Sequence, residues 1–253
     1  MLRNMFSSIR SNIASRWTVF FALIFIIASS NQLAAAGPVV HAYLSQRFFE
    51  KFPKYDQEEK KAFMLGTLFP DIQYLGEAAR NETHCDHVSL EEVLREPSPF
   101  TAGLKFHSYV DWVREDFVAD QKMYHQLNES GNTHPHSLFL KLKLLEDEAV
   151  YYSYNWQEWC ETLKEIHPQE LEWGMKLETI RKWHNLLSVC FSNPPSTIIF
   201  LLSITNASYL NVPSNEIKHW REGLKPTAKS YKIQRFVRAM LIHFEAKMNA
   251  LSR

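Results

Sequence analysis

An all-α fold is what this chain predicts, and three observations carry that expectation. Glycine is scarce, with 7 residues in 253, and runs alternating β-branched with polar residues are nearly absent. Apolar residues instead recur every three to four positions over long stretches. Helix-start signals recur too, either an acceptor side chain followed three residues later by Glu or a Ser followed by Pro. There is no internal repeat or low-complexity tract. The length suits one domain whose core needs no disulfide scaffold.

The elements follow in order. Val39 to Phe52 sets Val40, Tyr43 or Leu44, and Phe48 on one side, which predicts the first helix of the domain. Asp56-Gln-Glu-Glu59 is a capping box opening a second helix through Phe63, Met64 and Leu68, which stops at Pro70. Residues 71–97 read as a loop-rich connection with one short helix after Ser89, where Ser89 and Glu92 repeat the box. Ser98-Pro99 places an N-cap before a proline at the first helical position, and that helix continues to about His125. Asn128-Glu-Ser-Gly-Asn-Thr133 breaks the chain, and His134-Pro-His136 leads into a helix through Leu138, Leu142 and Leu145 to Tyr152. Trp156, Trp159, Trp173 and Trp183 fall in two helices divided near His167-Pro168, and Asn193-Pro-Pro195 is another break. Thr227 to Leu251 is one long amphipathic helix with Tyr231, Phe236, Met240, Leu241, Phe244 and Met248 inward.

The first 36 residues read differently. Arg3, Arg10 and Arg16 precede an apolar run from Trp17 to Ala28 of about a dozen residues, short of the roughly 20 that a membrane span needs. Ala34 and Ala36 fit the small-x-small cleavage rule, so residues 1–36 are expected to be a secretory signal peptide cut after Ala36, with an uncleaved anchor as the alternative. The domain then covers 37–253 and is exported, to the periplasm or the medium. Cleavage takes three arginines and no acid from a chain of 28 basic and 28 acidic residues, leaving 25 basic and 28 acidic. That balance offers no basic stripe for nucleic acid. Cys85, Cys160 and Cys190 allow at most one disulfide, with the pairing open. Cys85 lies between His84 and His87 and reads as a soft metal ligand or a buried or bridged thiol.

Histidine placement is the main non-random feature. Seven of the 11 histidines fall in residues 37–136: His41, His84, His87, His107, His125, His134 and His136. His243, on the apolar side of the last helix, reads as a hydrogen-bonded core residue. Gly103, His107 and Asp111 stand at i, i+4 and i+8, so on a helix they stack along one face. His and Asp one turn apart can reach one metal ion or bridge two, and the glycine clears room for a second backbone or a ligand. Asp71 follows Pro70 and reads as an N-cap or as a carboxylate held at a rigid corner. Thr83-His84-Cys-Asp86-His87 is either a polar surface loop or part of the same donor set. Pooled, these are nitrogen and oxygen ligands suited to zinc, with Asp86, Glu82 and Glu115 as candidates to orient the imidazoles.

Four of these motifs, Val-Val-His41-Ala-Tyr, Gly66-x-x-x-Pro70-Asp71-Ile, Thr83-His84 and Gly103-x-x-x-His107-x-x-x-Asp111, resemble in order and spacing the zinc-dependent phospholipase C family, which is related to the P1-type nucleases. The resemblance covers about residues 37–150, and the rest matches only in being helical. It implies a single multi-helix domain with one to three zinc ions in a cleft between helices. It further implies hydrolysis of phosphodiester bonds in phospholipid head groups by metal-activated water, with peripheral membrane contact. A P1-type nuclease or other phosphodiesterase, and a non-catalytic metal-binding member of the fold, are the alternatives. Carried over by position, His41, Asp71, His84, His107 and Asp111 are metal ligands, Asp71 doubles as the general base, and His87 is an alternative to His84. Beyond them the family pattern expects a histidine, for which His125, His134 or His136 serves, and then a second His-x-x-x-Glu or Asp pair. Here Glu146 and Asp147 supply the carboxylate, but Leu142 and Lys143 stand one turn earlier. Gly37, through the amine that cleavage would expose, is a further candidate ligand.

Overall fold

Helix-start chemistry lays out the chain in the computed structural model, which describes residues 35–128, 135–204 and 214–252. Helix α1 spans Pro38–Lys51 and α2 spans Gln57–Leu68. The capping box at α2 is formed as the sequence predicts, with Asp56 accepting from the Glu59 amide and Glu59 from the Asp56 amide, both at 2.9 Å. Pro70 cannot donate to a carbonyl one turn back, so α2 gives way to a 3₁₀ turn, Pro70–Leu75. The connection to the next long helix holds more than one short helix: α3 is Arg80–Thr83 and α4 is Leu90–Arg95, the latter capped by Ser89 and Glu92.

Helix α5, Pro99–Asp120, begins at the expected Ser98 cap but ends before His125. Lys122 adopts a left-handed backbone (φ +50°), and α6, Met123–Leu127, restarts beyond it. Helix α7 is Pro135–Tyr151. Three helices, not two, house the tryptophan-rich stretch: α8 Gln157–Thr162, α9 Pro168–Glu172 and α10 Leu177–Ser192. Trp156 and Trp173 lie just outside these helices. Helix α11, Pro195–Ile204, starts at the Asn-Pro-Pro break. The expected final helix is divided into α12, Ser214–Ala228, and α13, Tyr231–Leu251, because Ser230 caps a new helix by accepting from the Ile233 amide. Tyr231, at that start, is 79% exposed and not in the core. His243 is half-buried against the Phe117 ring.

Helices α2 and α5 cross at backbone contact, and two glycines permit it. A Cβ on Gly103 would lie 1.9 Å from the Phe63 carbonyl oxygen, and one on Gly66 would lie 1.9 Å from that of Phe100. The room that Gly103 clears is therefore for α2. The aromatic core of Phe48, Phe63 and Phe106 clamps α1 onto this crossing, with ring centroids 5.0 to 5.5 Å apart. Among the described residues there is no strand, and the helices bury one continuous core. No single described helix is long and apolar enough to cross a membrane. All three cysteines are free thiols, so no bridge forms.

Candidate metal centre

The end of α2 creates the first handhold. A helix terminus leaves carbonyls without intrahelical partners, and here two side chains take them. His107 Nδ1 donates to Thr67 O at 2.8 Å and Trp183 Nε1 donates to Leu68 O at 2.9 Å. With Nδ1 committed, His107 presents Nε2 to the interior. Helix α5 carries Asp111 one turn on, α1 brings His41 from above, and the 3₁₀ turn brings Asp71. His84, the C-cap of α3, has Nδ1 3.0 Å from Thr83 Oγ1, which turns its Nε2 inward. The Cys85 amide donates to Ser108 Oγ at 2.9 Å and pins that segment to α5.

All five principal candidates from the sequence converge. His41 Nε2 lies 3.1 Å from Asp111 Oδ1, His107 Nε2 lies 3.4 Å from Asp111 Oδ2, and the two Nε2 atoms of His107 and His84 are 3.1 Å apart. His84 Nε2 to Asp111 Oδ2 is 3.9 Å, and His107 Nε2 to Asp71 Oδ1 is 4.0 Å. Ligands about 2.1 Å from a tetrahedral zinc are roughly 3.4 Å from one another, so these separations suit an ion at their centre. Two donor groups could hold an ion, His41/His107/Asp111 and Asp71/His84/His107, each with its atoms within 4.8 Å of one another. Because Thr67 holds Nδ1, His107 can serve only one ion at a time. Asp71 Oδ1 and His41 Nδ1 are buried without a hydrogen-bond partner among the described residues. An unpartnered buried carboxylate oxygen is costly unless a ligand completes it, and the donor set fits zinc.

The electrostatics agree with ligand roles. Burial pushes His41 down to about 4, and the His107 charge adds to this. Burial and His107 likewise push His84 down to about 3. Both imidazoles are therefore neutral near pH 7, the form a metal needs. Burial opposes a charged His107 as well, but Asp111, Asp71 and the Thr67 carbonyl together outweigh burial and raise its pKa. Burial also opposes the two carboxylate anions. His107 nevertheless holds Asp111 well below the usual carboxylate range, and His107 with Lys143 lowers Asp71.

The secondary candidates fall elsewhere. His87 is exposed, with a left-handed backbone (φ +47°) and its ring against Trp112, outside both donor groups. His125, on α6, is outside them too. His134 lies outside the described residues, as does the side chain of His136. Glu146 is spent on a bidentate pair with Arg114, at 3.1 and 2.9 Å, both side chains fully buried. Asp147 accepts from the Val40 amide at 2.9 Å and so caps α1, and burial raises its pKa to about 7. Gly37 is the N-cap of α1, its Cα pressed against Asp147, where an added Cβ would lie 2.2 Å from the carboxylate. The backbone nitrogen that does reach the cluster is that of Ala36, 2.9 Å from Asp111 Oδ1. Residues 1–34 of the expected leader lie outside the described residues.

Nor do Glu82, Asp86 and Glu115 orient the imidazoles. Glu82 accepts from the Ala79 amide, Asp86 is exposed, and Glu115 joins Arg114 and Tyr124. Thr67 O and Thr83 Oγ1 do that work. Sequence reasoning also missed Arg80, whose Nη2 donates to Asp111 Oδ2 at 3.2 Å. Its position four residues before His84, one helical turn, was the available signal. No family model matches the chain, and no curated protein or solved structure matches it significantly.

Proposed function

We propose that this chain is an exported, zinc-dependent phosphodiester hydrolase of the phospholipase C type, acting on phospholipid head groups at a membrane surface. One observation carries the reading: His41, Asp71, His84, His107 and Asp111, named through the resemblance, gather into two donor groups that share His107. When bound, zinc supplies positive charge to the phosphate oxygens and makes water acidic enough to act as a nucleophile near neutral pH. His107 would hold it with either Asp71 and His84 or Asp111 and His41, the two groups that share its Nε2. Asp71 stays anionic beside His107 and Lys143 and is the residue positioned to take a proton from water. If the leader is cut after Ala36, the Ala36 amide leaves Asp111 Oδ1, and that oxygen keeps only His41 Nε2 as a neighbour within hydrogen-bond reach among the described residues.

A second reading, a non-catalytic metal-binding member of the same fold, is favoured by the engagement of Glu146 and Asp147 in packing. The two separate in one experiment. The purified protein is offered a chromogenic phosphocholine ester and single-stranded DNA, with chelator and then with zinc restored. The hydrolase reading expects ester turnover that stops with chelator and returns with zinc. Turnover of DNA alone would move the substrate to nucleic acid. Zinc binding without turnover of either would leave the non-catalytic reading.

A further inference from the structure

Two kinds of polar atom are left unpartnered at the cluster. Asp71 Oδ1 can face a metal, but Arg80 Nη1 and Tyr74 OH, buried and without hydrogen-bond partners among the described residues, are donors with no acceptor. A guanidinium has no lone pair to give, and burial with the nearby Asp71 charge pushes the Tyr74 phenol up to about 12, so it keeps its proton. Both are hydrogen-bond donors awaiting an acceptor. Lys143 joins them from α7. Its Nζ lies 5.7 Å from the Tyr74 ring centroid and it faces Asp71 and Asp111. Among the described residues no carboxylate is in ion-pair contact with it.

Charge points the same way. Asp71 and Asp111 carry two negative charges, and Arg80 and Lys143 answer them with two positive ones. Glu146 and Glu115 are both engaged by Arg114, and Asp147 is turned to the Val40 amide, so none of the three faces the cluster. One divalent ion therefore leaves the site with an excess of two positive charges. A second or third ion would add like charge to a buried site whose further carboxylates, Glu115, Glu146 and Asp147, are already engaged.

Resting on the metal-site reading above, we propose that Arg80, Lys143 and Tyr74 form a clamp for a phosphate-type anion. The two side-chain cations then take the place of additional metal ions, and the centre holds one zinc. Arg80 now shares Asp111 Oδ2 with His107 and His84. A metal on that oxygen competes with Arg80 for the same lone pairs, and a released guanidinium presents a planar fork of donors to the anion.

The test uses purified protein, zinc counted by elemental analysis, and calorimetric titration first with zinc and then with inorganic phosphate. Wild type is expected to hold one zinc. Arg80→Gln should bind zinc at least as tightly as wild type, having lost a competitor, while its zinc-loaded form binds phosphate about tenfold more weakly. Lys143→Met should behave in the same sense, and Arg80→Lys, which keeps charge but not the fork, should recover part of the phosphate affinity. Arg80 is partly exposed, so its variants test the clamp even if Lys143→Met does not fold. Phosphate affinity within twofold of wild type in both Arg80→Gln and Lys143→Met, parallel loss of zinc and phosphate, or two or more zinc ions in wild type would each overturn the clamp alone. Wild-type protein that binds no zinc would overturn the hydrolase reading, and the clamp with it.

Discussion

Helices α5 and α7 carry the same spacing with opposite results. His107 and Asp111 on α5, and Lys143 and Asp147 on α7, stand one turn apart in each case. On α5 the carboxylate meets imidazoles: Asp111 lies 3.1 Å from His41 and 3.4 Å from His107. On α7 the carboxylate meets a helix N-terminus, accepting from Val40 at 2.9 Å, and the residue one turn earlier is an ammonium. Spacing decides which side chains share a face. What each does there depends on what the facing element presents, here an open carbonyl at the end of α2 or an open amide at the start of α1.

The sharpest break in the comparison comes from removing the α5 pair. His107→Ala or Asp111→Ala should each weaken zinc binding by more than about a hundredfold, beyond what loss of an orienting contact costs, and abolish ester hydrolysis. Full zinc content in both variants, measured by elemental analysis, would dissolve the contrast between the helices. On α7 the acid beside Asp147 should cost stability and leave the metal alone. Glu146→Gln removes the carboxylate that meets two of the three Arg114 nitrogens and leaves the guanidinium to Glu115 and Tyr124, so the loss should fall below the about 3–5 kcal/mol of a fully broken buried pair. Urea denaturation should show that loss at unchanged zinc stoichiometry. Zinc loss in the folded variant would instead make Glu146 a ligand.

The pH dependence sharpens the α5 side. His107, against its burial, has its pKa raised above 6.5 by Asp111, Asp71 and the Thr67 carbonyl in the metal-free site, so it still holds its proton there, and zinc must displace it. Zinc affinity should therefore rise with pH, by close to tenfold per unit through pH 6.5, and flatten above the raised pKa. His41 and His84, held at about 4 and about 3, contribute nothing to that slope. Affinity that is level from pH 5.5 to 7.5 would mean that His107 is already neutral.

These contrasts explain what the sequence could tell. Caps were legible because they are local: Asp56 with Glu59 and Ser98 before Pro99 both form as read. The nearness of the five candidate residues was legible in part, because His107 and Asp111 share a helix face, while His41, Asp71 and His84 were named as ligands only through the resemblance in motif order. Helix ends set by a single backbone turn, such as Lys122, were not legible, because no side-chain pattern announced a left-handed residue there. The fate of Glu146 was hidden for another reason. Its partner Arg114 sits 32 positions away, and nothing local to either residue distinguishes a metal ligand from half of a buried ion pair.

The finest test makes the two helices alike. Lys143→His gives α7 the same His-x-x-x-Asp pattern as α5 and removes one cation facing Asp71 and Asp111. If spacing were sufficient, a second zinc should bind. Asp147 instead faces Val40 and is wedged against Gly37, and Glu146 remains on Arg114, so the new imidazole finds no carboxylate free to complete a site. Zinc should stay at one per chain, with affinity raised by about threefold because less positive charge opposes the ion. A stoichiometry of two would show that Asp147 can leave the start of α1, and that the lysine alone separates the two helices.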